Sequence, residues 1–587
     1  MNTTDSALLG GAFLRAPLGS LPQFTPEDLD EDHKAIGVAA RDFVEGEILP
    51  RDAAIDALDL DLSRELLRKA GGLGLLGLEV PEAYDGLDLD KISGLLVLEQ
   101  IGRQASFSVT YGAQTGIGML PLVYFGSEAQ KAKYLPRLAS GELVAAYALT
   151  EPGAGSDAMN ASTTAVLEDG HWVLNGSKMW ITNAGFADLF VVFAKVDGRK
   201  FSAFLVERGD PGFTIGAEEH KLGIKGSSTR ALAFDACRIP ADRLLGEVGK
   251  GHRIAFGILA IGRFKLGAGC NGLAKEVLKA TLAYTAQRKQ FGRTVASFGL
   301  IRRYLAAMAT RIFVAESLNF RTLGAINDGM HAVPWSEPDA AARKMAIMEA
   351  FQMEASIMKV WDSEALGRTA DEAVQCFGGY GFSTEYPVEK VYRDNRINRI
   401  FEGTNEINRL IIAGQVFKKA AAGDLALRRD AGDLPVAGTA EAGDLGEAAR
   451  AVELAKRQFQ FAVAEALEAS GSRLIENQEA AALTADMAMA IYAMESAVVR
   501  ARKMGATGHR WAALARDLAE LAVGEGAAQV AGQARSLLAE VHEGAALRQA
   551  LELLRAFDGA LPAAGSRLQG RVAEALVDQG AYPIEAY

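Results

Sequence analysis

A carboxylate between an aromatic residue and a glycine marks the part of this chain best suited to proton chemistry. The stretch Arg399 to Ile407 reads Arg-Ile-Phe-Glu-Gly-Thr-Asn-Glu-Ile, so Glu402 lies between Phe401 and Gly403. Phe401 can exclude water from Glu402 and raise its pKa, while Gly403 lets a flat ligand approach the backbone. Because a desolvated glutamate is a stronger base, Glu402 is a candidate general base.

A simpler interpretation competes for the same stretch. Thr404 or Asn405 could be the N-cap of an amphipathic helix over Ile407 to Lys418, with Glu402 a solvated loop residue. On this stretch alone the capping interpretation is favoured, so the choice between the two depends on other parts of the chain.

A second stretch far upstream also carries polar groups near glycines. Tyr147 to Asp157 contains Thr150, two glycines and Ser156, so its exposed backbone amides could approach phosphate oxygens or the edge of a flavin. Trp180 and Thr182 follow on a predicted strand, where residues two apart face the same side. Alone, these residues are equally typical of an ordinary loop and an ordinary sheet face.

Taken together and in this order, the motifs resemble those of the acyl-CoA dehydrogenase family, from about Pro26 to about Lys419. Within the family the chain is most similar to the very-long-chain group, judged from Ile258 to Phe264, Ser297 to Ile301 and the extra C-terminal region. The resemblance implies FAD-dependent conversion of fatty acyl-CoA, with long chains preferred, to trans-2-enoyl-CoA in β-oxidation. It makes Glu402 the catalytic base.

The resemblance also implies binding residues. For FAD these are Tyr147, Thr150, Ser156, Trp180, Thr182, Arg288, Phe291, Gln375, Gly378, Gly379, Thr404 and Glu406; for substrate they are Ser156, Arg263, Phe401 and Gly403. Arg263 is placed at the start of a helical segment. Many relatives carry glutamine at the Glu406 position, which weakens that assignment. Some relatives place the base at the Gly262 position; since Gly262 is not a carboxylate, Glu402 is the single expected base.

The same resemblance implies partners. Arg288 and Phe291, with Gln375 to Gly379, are expected to reach the FAD of a neighbouring subunit, which predicts a homodimer, although Arg288 to Gly292 alone fits a cationic helix end. An electron-transfer flavoprotein is the expected electron acceptor. Two alternatives stay open: an acyl-CoA oxidase that reduces oxygen, and a non-enzymatic assembly protein of the same fold.

Composition limits the other classes of function. Among 587 residues, 62 Lys and Arg stand against 74 Asp and Glu, giving a net charge of -12 that argues against nucleic-acid binding. Three scattered cysteines and seven histidines show no metal-ligand spacing, so no metal is expected. Asp5 does not suit a signal peptide, and no apolar run approaches the roughly 20 residues that span a bilayer. We expect a cytoplasmic protein, with membrane association disfavoured but left open.

Periodicity divides the chain into a helical, a β and two further helical regions. The predicted units are an N-terminal arm (1–25), a helical domain (26–143), an antiparallel middle β domain (144–250), a helical bundle (251–420), a linker (421–445) and a C-terminal helical domain (446–587). Gly72 to Gly77 matches GxGxxG but follows a helical pattern, so a Rossmann site is rejected.

An internal similarity links the last two helical regions. Leu305 to Ala325 resembles the segment 179 residues later, aligning Glu316 with Glu495 and Ser317 with Ser496. The match between two alanine-rich helices is weak enough to arise by chance. Together these patterns predict a mainly α fold with a central β domain, as in the acyl-CoA dehydrogenases, plus an extra C-terminal helical domain.

Overall fold

The fold was obtained as a computed structural model, which describes residues 10–585 except 426, 428–444 and 560–564. Among these residues the chain passes from helices to a β sheet and then to two further sets of helices, which confirms the predicted fold class. Residues 1–9 of the predicted arm and residues 428–444 of the predicted linker lie outside the described residues.

The first set of helices precedes the sheet. It contains α1 (Glu31–Phe43), α2 (Asp52–Asp56), α3 (Leu60–Gly72), α4 (Lys91–Ile101), α5 (Ala105–Gly112), α6 (Leu120–Phe125) and α7 (Glu128–Ala139). Asp59 caps α3 by accepting a hydrogen bond from the Leu62 amide, and α3 ends at Gly72. Gly74 then takes a positive φ of 76°. The GxGxxG stretch is therefore a helix end and turn, as predicted.

The middle domain is one sheet of eight strands. They are β1 (Ala145–Ala148), β2 (Thr164–Glu168), β3 (His171–Thr182), β4 (Leu189–Val196), β5 (Lys200–Glu207), β6 (Phe213–Glu218), β7 (Thr229–Pro240) and β8 (Leu244–Leu245). The order is β6-β7-β3-β2-β4-β5-β8, with β1 added on β4. Most pairs are antiparallel, but β1 and β2 both pair with β4 in parallel. The expected antiparallel character holds for the other pairs. The β2–β4 pair is parallel because the β2–β3 hairpin, rather than a helix, returns the chain to the same direction.

Long helices form the bundle that follows. They are α8 (Gly251–Gln287), α9 (Gly299–His331), α10 (Ala340–Ala350), α11 (Gln352–Phe377), α12 (Pro387–Asp394) and α13 (Asn405–Ala422). Arg263 lies in the middle of α8, so its predicted place at a helix start was wrong. The helix continues through the glycines near Arg263 because α8 is buried over most of its length. After α8 come β9 (Lys289–Gln290) and β10 (Arg293–Thr294), a hairpin where a plain helix end was expected.

The C-terminal region adds α14 (Gly446–Ser470), α15 (Gln478–Ala506), α16 (Ala512–Val541), α17 (Gly544–Leu554) and α18 (Ser566–Gln579). By length and composition α15 could cross a membrane, contrary to our reading of the sequence, but 78% of its most apolar window is buried inside the protein. This burial is typical of a core helix, because α15 packs between α9, α13 and α16.

The similarity between α9 and α15 corresponds to a reciprocal contact. Glu316 on α9 pairs with Arg500 on α15 (2.8 Å), and Arg321 on α9 pairs with Glu495 on α15 (3.2 Å). Each glutamate is thus five residues before the arginine of its own helix and bonds the arginine of the other. All four side chains are buried, so the two helical regions share a charged seam inside one core.

The N-terminal arm covers part of this seam. Phe13 and Leu14 are buried, and Phe13 packs against Tyr492 of α15 with ring centroids 4.6 Å apart. Lys456 and Gln460 of α14 donate hydrogen bonds of 2.7 Å to the carbonyls of Ala16 and Leu14. The described part of the arm therefore ties the first residues of the chain to its C-terminal region.

Candidate active site

Glu402 lies on a turn that the backbone adopts only under constraint. Its φ is 57° and that of Gly403 is 79°, so two successive residues are left-handed and only one of them is glycine. Thr404 then caps α13 by accepting a hydrogen bond from the Ile407 amide. The capping interpretation of Thr404 is thus correct, and it coexists with a strained glutamate rather than excluding a role for it.

Three side chains from three helices hold this turn. Arg263 of α8 donates to the Glu402 carbonyl (3.2 Å), while Lys359 of α11 and Asn408 of α13 both donate to the Gly403 carbonyl (2.8 Å each). Hydrogen bonds to both carbonyls compensate for the unfavourable backbone angles. The carboxylate of Glu402 is therefore presented from a fixed support.

The Glu402 carboxyl is desolvated without being neutralised by a close partner. Its Oε2 is buried and has no hydrogen-bond partner. Burial raises the pKa of Glu402 to about 7, and the charges of Arg263 and Lys359 oppose that rise. A carboxyl group with this pKa is half ionised near neutral pH and takes up a proton readily, which suits a general base.

Gly262 faces Glu402 directly. A Cβ at position 262 would lie 2.6 Å from Glu402 Oε2, closer than any real contact of this kind. A larger residue here would displace the carboxylate, which explains physically why Glu402 is paired with a glycine. The structure thus leaves room for one carboxylate at this point of the site.

Glu402 opens into a cavity between the first helices, the sheet and α8, which we call the central cavity. Along α8 its wall is formed by Gly262, Lys265, Leu266, Gly269, Cys270 and Leu273, one face of the helix. The opposite wall comes mainly from α4, α5 and the turn after α5, and includes Leu98, Gly102, Ala105, Ser108, Val109, Gly112, Ala113 and Ile117. The small or uncharged residues Ala260, Ile261 and Gly262 predict a cavity wall that admits a long acyl chain. Gly262 lines the central cavity, but Ala260 and Ile261 do not, because they lie on other faces of α8.

The β domain and the segment before Glu402 complete the cavity. Thr182 reaches it from β3 and Ile224 from the loop between β6 and β7; Asp394 at the end of α12, Asn398 in the turn that follows and Phe401 beside the base line the rest. Burial raises the pKa of Asp394 to about 6, and its carboxylate accepts a hydrogen bond from the Ile224 amide. Sequence reasoning singled out Thr182 and Phe401 but missed Asp394 and Asn398, which carry no local signal.

The expected flavin residues of the β domain lie on both sides of a bulge. The β3–β7 register shifts between Lys178 and Ile181, and Trp180 has a φ of 57°. Simple alternation therefore does not hold from Trp180 to Thr182: Thr182 lines the cavity, whereas Trp180 is 58% exposed at the surface. An exposed indole of this size beside a polar loop is a ready stacking surface for a flat ring.

A buried ion pair fixes the loop next to Trp180. Glu151 pairs with Lys178 of β3 (2.7 Å) and also accepts hydrogen bonds from the Ser162 and Thr163 amides. The Thr150 carbonyl accepts from the Met179 amide (3.0 Å). Thr150 is therefore held at the strand that carries Trp180, while Ser156 is exposed at the far end of the loop. The Glu151–Lys178 pair was not anticipated from the sequence.

Other expected residues stand in different surroundings. Tyr147 is buried and donates its hydroxyl to the Ala255 carbonyl (3.3 Å), and burial together with Glu402 raises its pKa. Arg263 is also buried, so the structure places it behind the base; contact with CoA stays a prediction. Glu406 is exposed, and hydrogen bonds from its own backbone amide and from Thr404 lower its pKa.

A second group of expected residues gathers at the other end of α8. Arg288 stacks over the Tyr380 ring at 5.5 Å, and Phe291 at the hairpin tip is 92% exposed. Gln375, Gly378 and Gly379 are exposed where α11 ends, and a Cβ on either glycine would meet only open space. This cluster does not line the central cavity, so within one chain it has no place in the site around Glu402.

The residues present fit a flavin as a cofactor. The space that leads to the Glu402 carboxylate, whose Oε2 has no hydrogen-bond partner, is bordered by the exposed Trp180 indole, the loop held by the Glu151–Lys178 pair and the Thr182 hydroxyl. Buried Arg263 Nη1 likewise has no partner. Unsatisfied buried groups of this kind are expected where a ligand completes the site.

Family comparisons agree with the architecture. Residues 30–142, 146–237 and 249–417 match models of the acyl-CoA dehydrogenase N-terminal, middle and C-terminal domains, and residues 454–556 match a further acyl-CoA dehydrogenase C-terminal domain. A probable acyl-CoA dehydrogenase of Bacillus subtilis (strain 168) is 46% identical over 555 residues, 93% of each chain.

Relatives of different specificity are also similar. The human short-chain specific acyl-CoA dehydrogenase is 39% identical over 67% of this chain and 91% of its own. The human very long-chain specific enzyme is 41% identical over 58% of this chain and 52% of its own. A crystal structure of an acyl-CoA dehydrogenase complexed with FAD from Bacillus anthracis superposes with a TM-score of 0.94 at 42% identity, covering 98% of this chain and all of that one.

Proposed function

Because this chain belongs to the acyl-CoA dehydrogenase family, we propose that it is an FAD-dependent oxidoreductase that converts fatty acyl-CoA thioesters to trans-2-enoyl-CoA. The observation that carries the proposal is Glu402: a desolvated carboxylate on a strained turn, facing a glycine at the mouth of an apolar cavity. A buried carboxylate oxygen without a hydrogen-bond partner calls for an explanation, and a base that receives a substrate proton supplies one.

In the proposed reaction Glu402 takes the α-proton of the thioester through its carboxylate. Bound FAD would accept the β-hydrogen as a hydride. Removal of the proton places negative charge on the thioester oxygen, and the described residues provide no hydrogen-bond partner for the Glu402 amide, which leaves it free to donate to that oxygen. Arg263 and Lys359 increase the ionised fraction of Glu402, since their positive charges lower its pKa against the larger effect of burial.

The cofactor would be held mainly by the β domain. Trp180 offers its exposed ring, Thr182 reaches the central cavity, and Thr150 is fixed beside β3. Exposed Ser156, with Phe401 and Gly403 beside the base, is proposed to contact the substrate. Thr404 and Glu406 stand at the start of α13, on the side that the family uses for adenine; these roles stay predictions.

Long acyl chains are the proposed substrates. The cavity follows α8 over the twelve residues from Gly262 to Leu273, a rise of about 16 Å along the helix. Its walls are mostly apolar and include several glycines and alanines, so each further methylene buried there adds about 0.8 kcal/mol. Relatives of both short-chain and very long-chain specificity are similar to this chain, so the preference rests on the cavity.

The partners of the proposed enzyme are an electron-transfer flavoprotein and a second copy of the chain. The exposed cluster of Arg288, Phe291, Gln375, Gly378 and Gly379 supports a homodimer, because it combines an arginine, two glycines that face open space and an exposed apolar tip. Arginine would bind the pyrophosphate of the FAD held by the neighbouring subunit. Cytoplasmic location stays a prediction.

Anaerobic titration of the purified protein tests this function. Saturated acyl-CoAs of 4 to about 18 carbons should bleach the flavin absorbance, with reduction becoming more efficient towards about 12 carbons or more as methylenes are buried. Glu402→Gln is the control: it should stay yellow and bind acyl-CoA but reduce its flavin at least about 100-fold more slowly, because it keeps the shape and loses the base.

Three outcomes would contradict the proposal. A colourless protein that binds no FAD would indicate an assembly role, and rapid peroxide formation in air would indicate an oxidase. A Glu402→Gln variant within about tenfold of the wild-type rate would remove Glu402 as the base. A preference for butyryl-CoA would leave the reaction intact and overturn only the argument about the cavity.

A further inference from the structure

A buried lysine lies directly behind the base. Lys359 is on α11, its side chain has no exposed surface, and its Nζ donates to the Gly403 carbonyl (2.8 Å) and to Asn405 Oδ1 (2.7 Å). No carboxylate among the described residues forms an ion pair with it. A buried cation held only by neutral oxygens is costly, so its position calls for a function.

The charges that act on Lys359 come from the turn before α13 and from two helices, α8 and α13. Glu402 is the strongest favourable influence on its ammonium, Glu406 of α13 adds to it, and Arg263 of α8 opposes it; Cys270 of α8 is also near, but burial raises the pKa of its thiol, which stays uncharged at neutral pH. Burial is nevertheless the larger effect and lowers the pKa of Lys359 to about 8. At neutral pH Lys359 is therefore mostly protonated, and Glu402 is the carboxylate with the largest electrostatic effect on it.

The contact to the backbone serves the same residue. Gly403 and Glu402 are both left-handed, which turns the Gly403 carbonyl inward, towards α11. Asn408 binds the same carbonyl from the other side (2.8 Å), and Asn405 is also bonded to Ser363 and Glu364. Lys359 thus joins the turn and the start of α13 to α11. If the charge of Lys359 were removed, Asn408 would still bind the Gly403 carbonyl and Ser363 would still bind Asn405.

We propose that Lys359 is a positioning residue for the base: its ammonium holds the Glu402–Gly403 turn through the Gly403 carbonyl and supplies positive potential that favours the ionised form of Glu402. This inference rests on the proposed function, in which Glu402 removes the α-proton. It differs from the role of Arg263, which binds the Glu402 carbonyl and approaches the carboxylate from α8.

Two substitutions separate the two effects. Lys359→Gln removes the charge and keeps a donor for the Gly403 carbonyl, whereas Lys359→Met removes both at similar length. The matched control is Lys344→Met: Lys344 is also a buried lysine that donates to a carbonyl, that of Met330 (3.0 Å), but it lies on α10 away from Glu402. The Asn408 contact should let the turn form in either Lys359 variant.

The measurement is the rate of anaerobic flavin reduction by a saturating long-chain acyl-CoA as a function of pH, with flavin content and thermal midpoint recorded for each protein. Loss of the positive charge destabilises the Glu402 carboxylate, so its pKa rises and the half-maximal rate should move up by about one pH unit in both variants. The plateau rate should fall further in Lys359→Met, because the turn is less fixed. Lys344→Met should follow the wild-type profile.

Profiles of Lys359→Gln and wild type that coincide would overturn the inference, even if Glu402→Gln abolishes reduction and so supports the base. A shifted profile in Lys344→Met would equally count against it, because any lost buried charge would then have the same effect. If Lys359→Met does not fold, Lys359→Gln decides the question alone; if neither folds with flavin bound, the residue is structural and the inference is wrong.

Discussion

Glu402 is held in a state that favours reactivity over stability. Burial raises its pKa from the ordinary 4.5 to about 7, so the folded protein prefers the protonated form. This stabilising effect is complete below pH 4.5 and is lost as pH rises through about 7. Above about pH 7, where Glu402 is ionised, its desolvated carboxylate therefore lowers the free energy of unfolding.

We predict that Glu402→Gln is more stable than wild type at alkaline pH. The amide resembles the protonated carboxyl, so the two proteins should be about equally stable at pH 5 and differ by on the order of 2 kcal/mol at pH 8.5. The check is the difference between their thermal midpoints at the two pH values. Asp394 also has a raised pKa, but it titrates in both proteins and cancels. A difference independent of pH would show that Glu402 is not desolvated.

At the scale of helices, the site depends on how closely α8 approaches the turn before α13. Gly262→Ala should displace Glu402, since the new Cβ would lie 2.6 Å from its Oε2. We expect flavin reduction to slow at least about tenfold, because small displacements of a base reduce rates steeply. Gly257→Ala is the control on the same helix, where the Cβ meets only the flexible end of Met345. Stopped-flow reduction at equal flavin content compares them, and equal rates would contradict the prediction.

The hairpin after α8 gives a separate prediction. Arg288→Ala should weaken FAD binding and dimerisation together, because the cluster around Arg288 is exposed and lies outside the central cavity of its own chain, where a neighbouring subunit could use it. Arg303→Ala, which also removes an arginine stacked on a tyrosine ring, is the control. Flavin retention on dilution and sedimentation at several concentrations measure the two effects. Unchanged FAD affinity in Arg288→Ala would oppose a site shared between subunits.

The same elements show what the sequence could and could not predict. Periodicity and motif order gave the helical, β and helical regions, and Glu402 and Thr182 could be singled out because their motifs are local. Lys359, Asp394 and the Glu151–Lys178 pair could not, since each acts through contacts between segments far apart in the chain. The bulge at Trp180 was missed for a related reason: pairing with β7 sets it, not the composition of β3.

For the whole molecule, the charged seam between α9 and α15 makes the C-terminal region part of one core. Glu316 bonds Lys275 and Arg500, and Arg500 also pairs with Glu27 near the N-terminus. Removing one partner from a buried pair leaves an uncompensated charge, which typically costs 3–5 kcal/mol. The first and last parts of the chain are thus joined through buried ions rather than through a surface contact.

Truncation after Gly423 should therefore prevent folding of the remaining chain, because it uncovers the apolar face of α9 and leaves Arg321 without Glu495. Arg500→Met in the full chain tests the same seam more gently and should lower the thermal midpoint by several degrees, while Arg502→Met, on the same helix but only partly buried, should change it little. Solubility, flavin content and the thermal midpoint are the measurements. A truncated protein that stays folded, yellow and active would show that the catalytic core is complete without the C-terminal region, and an unchanged midpoint in Arg500→Met would show that the seam contributes nothing to it.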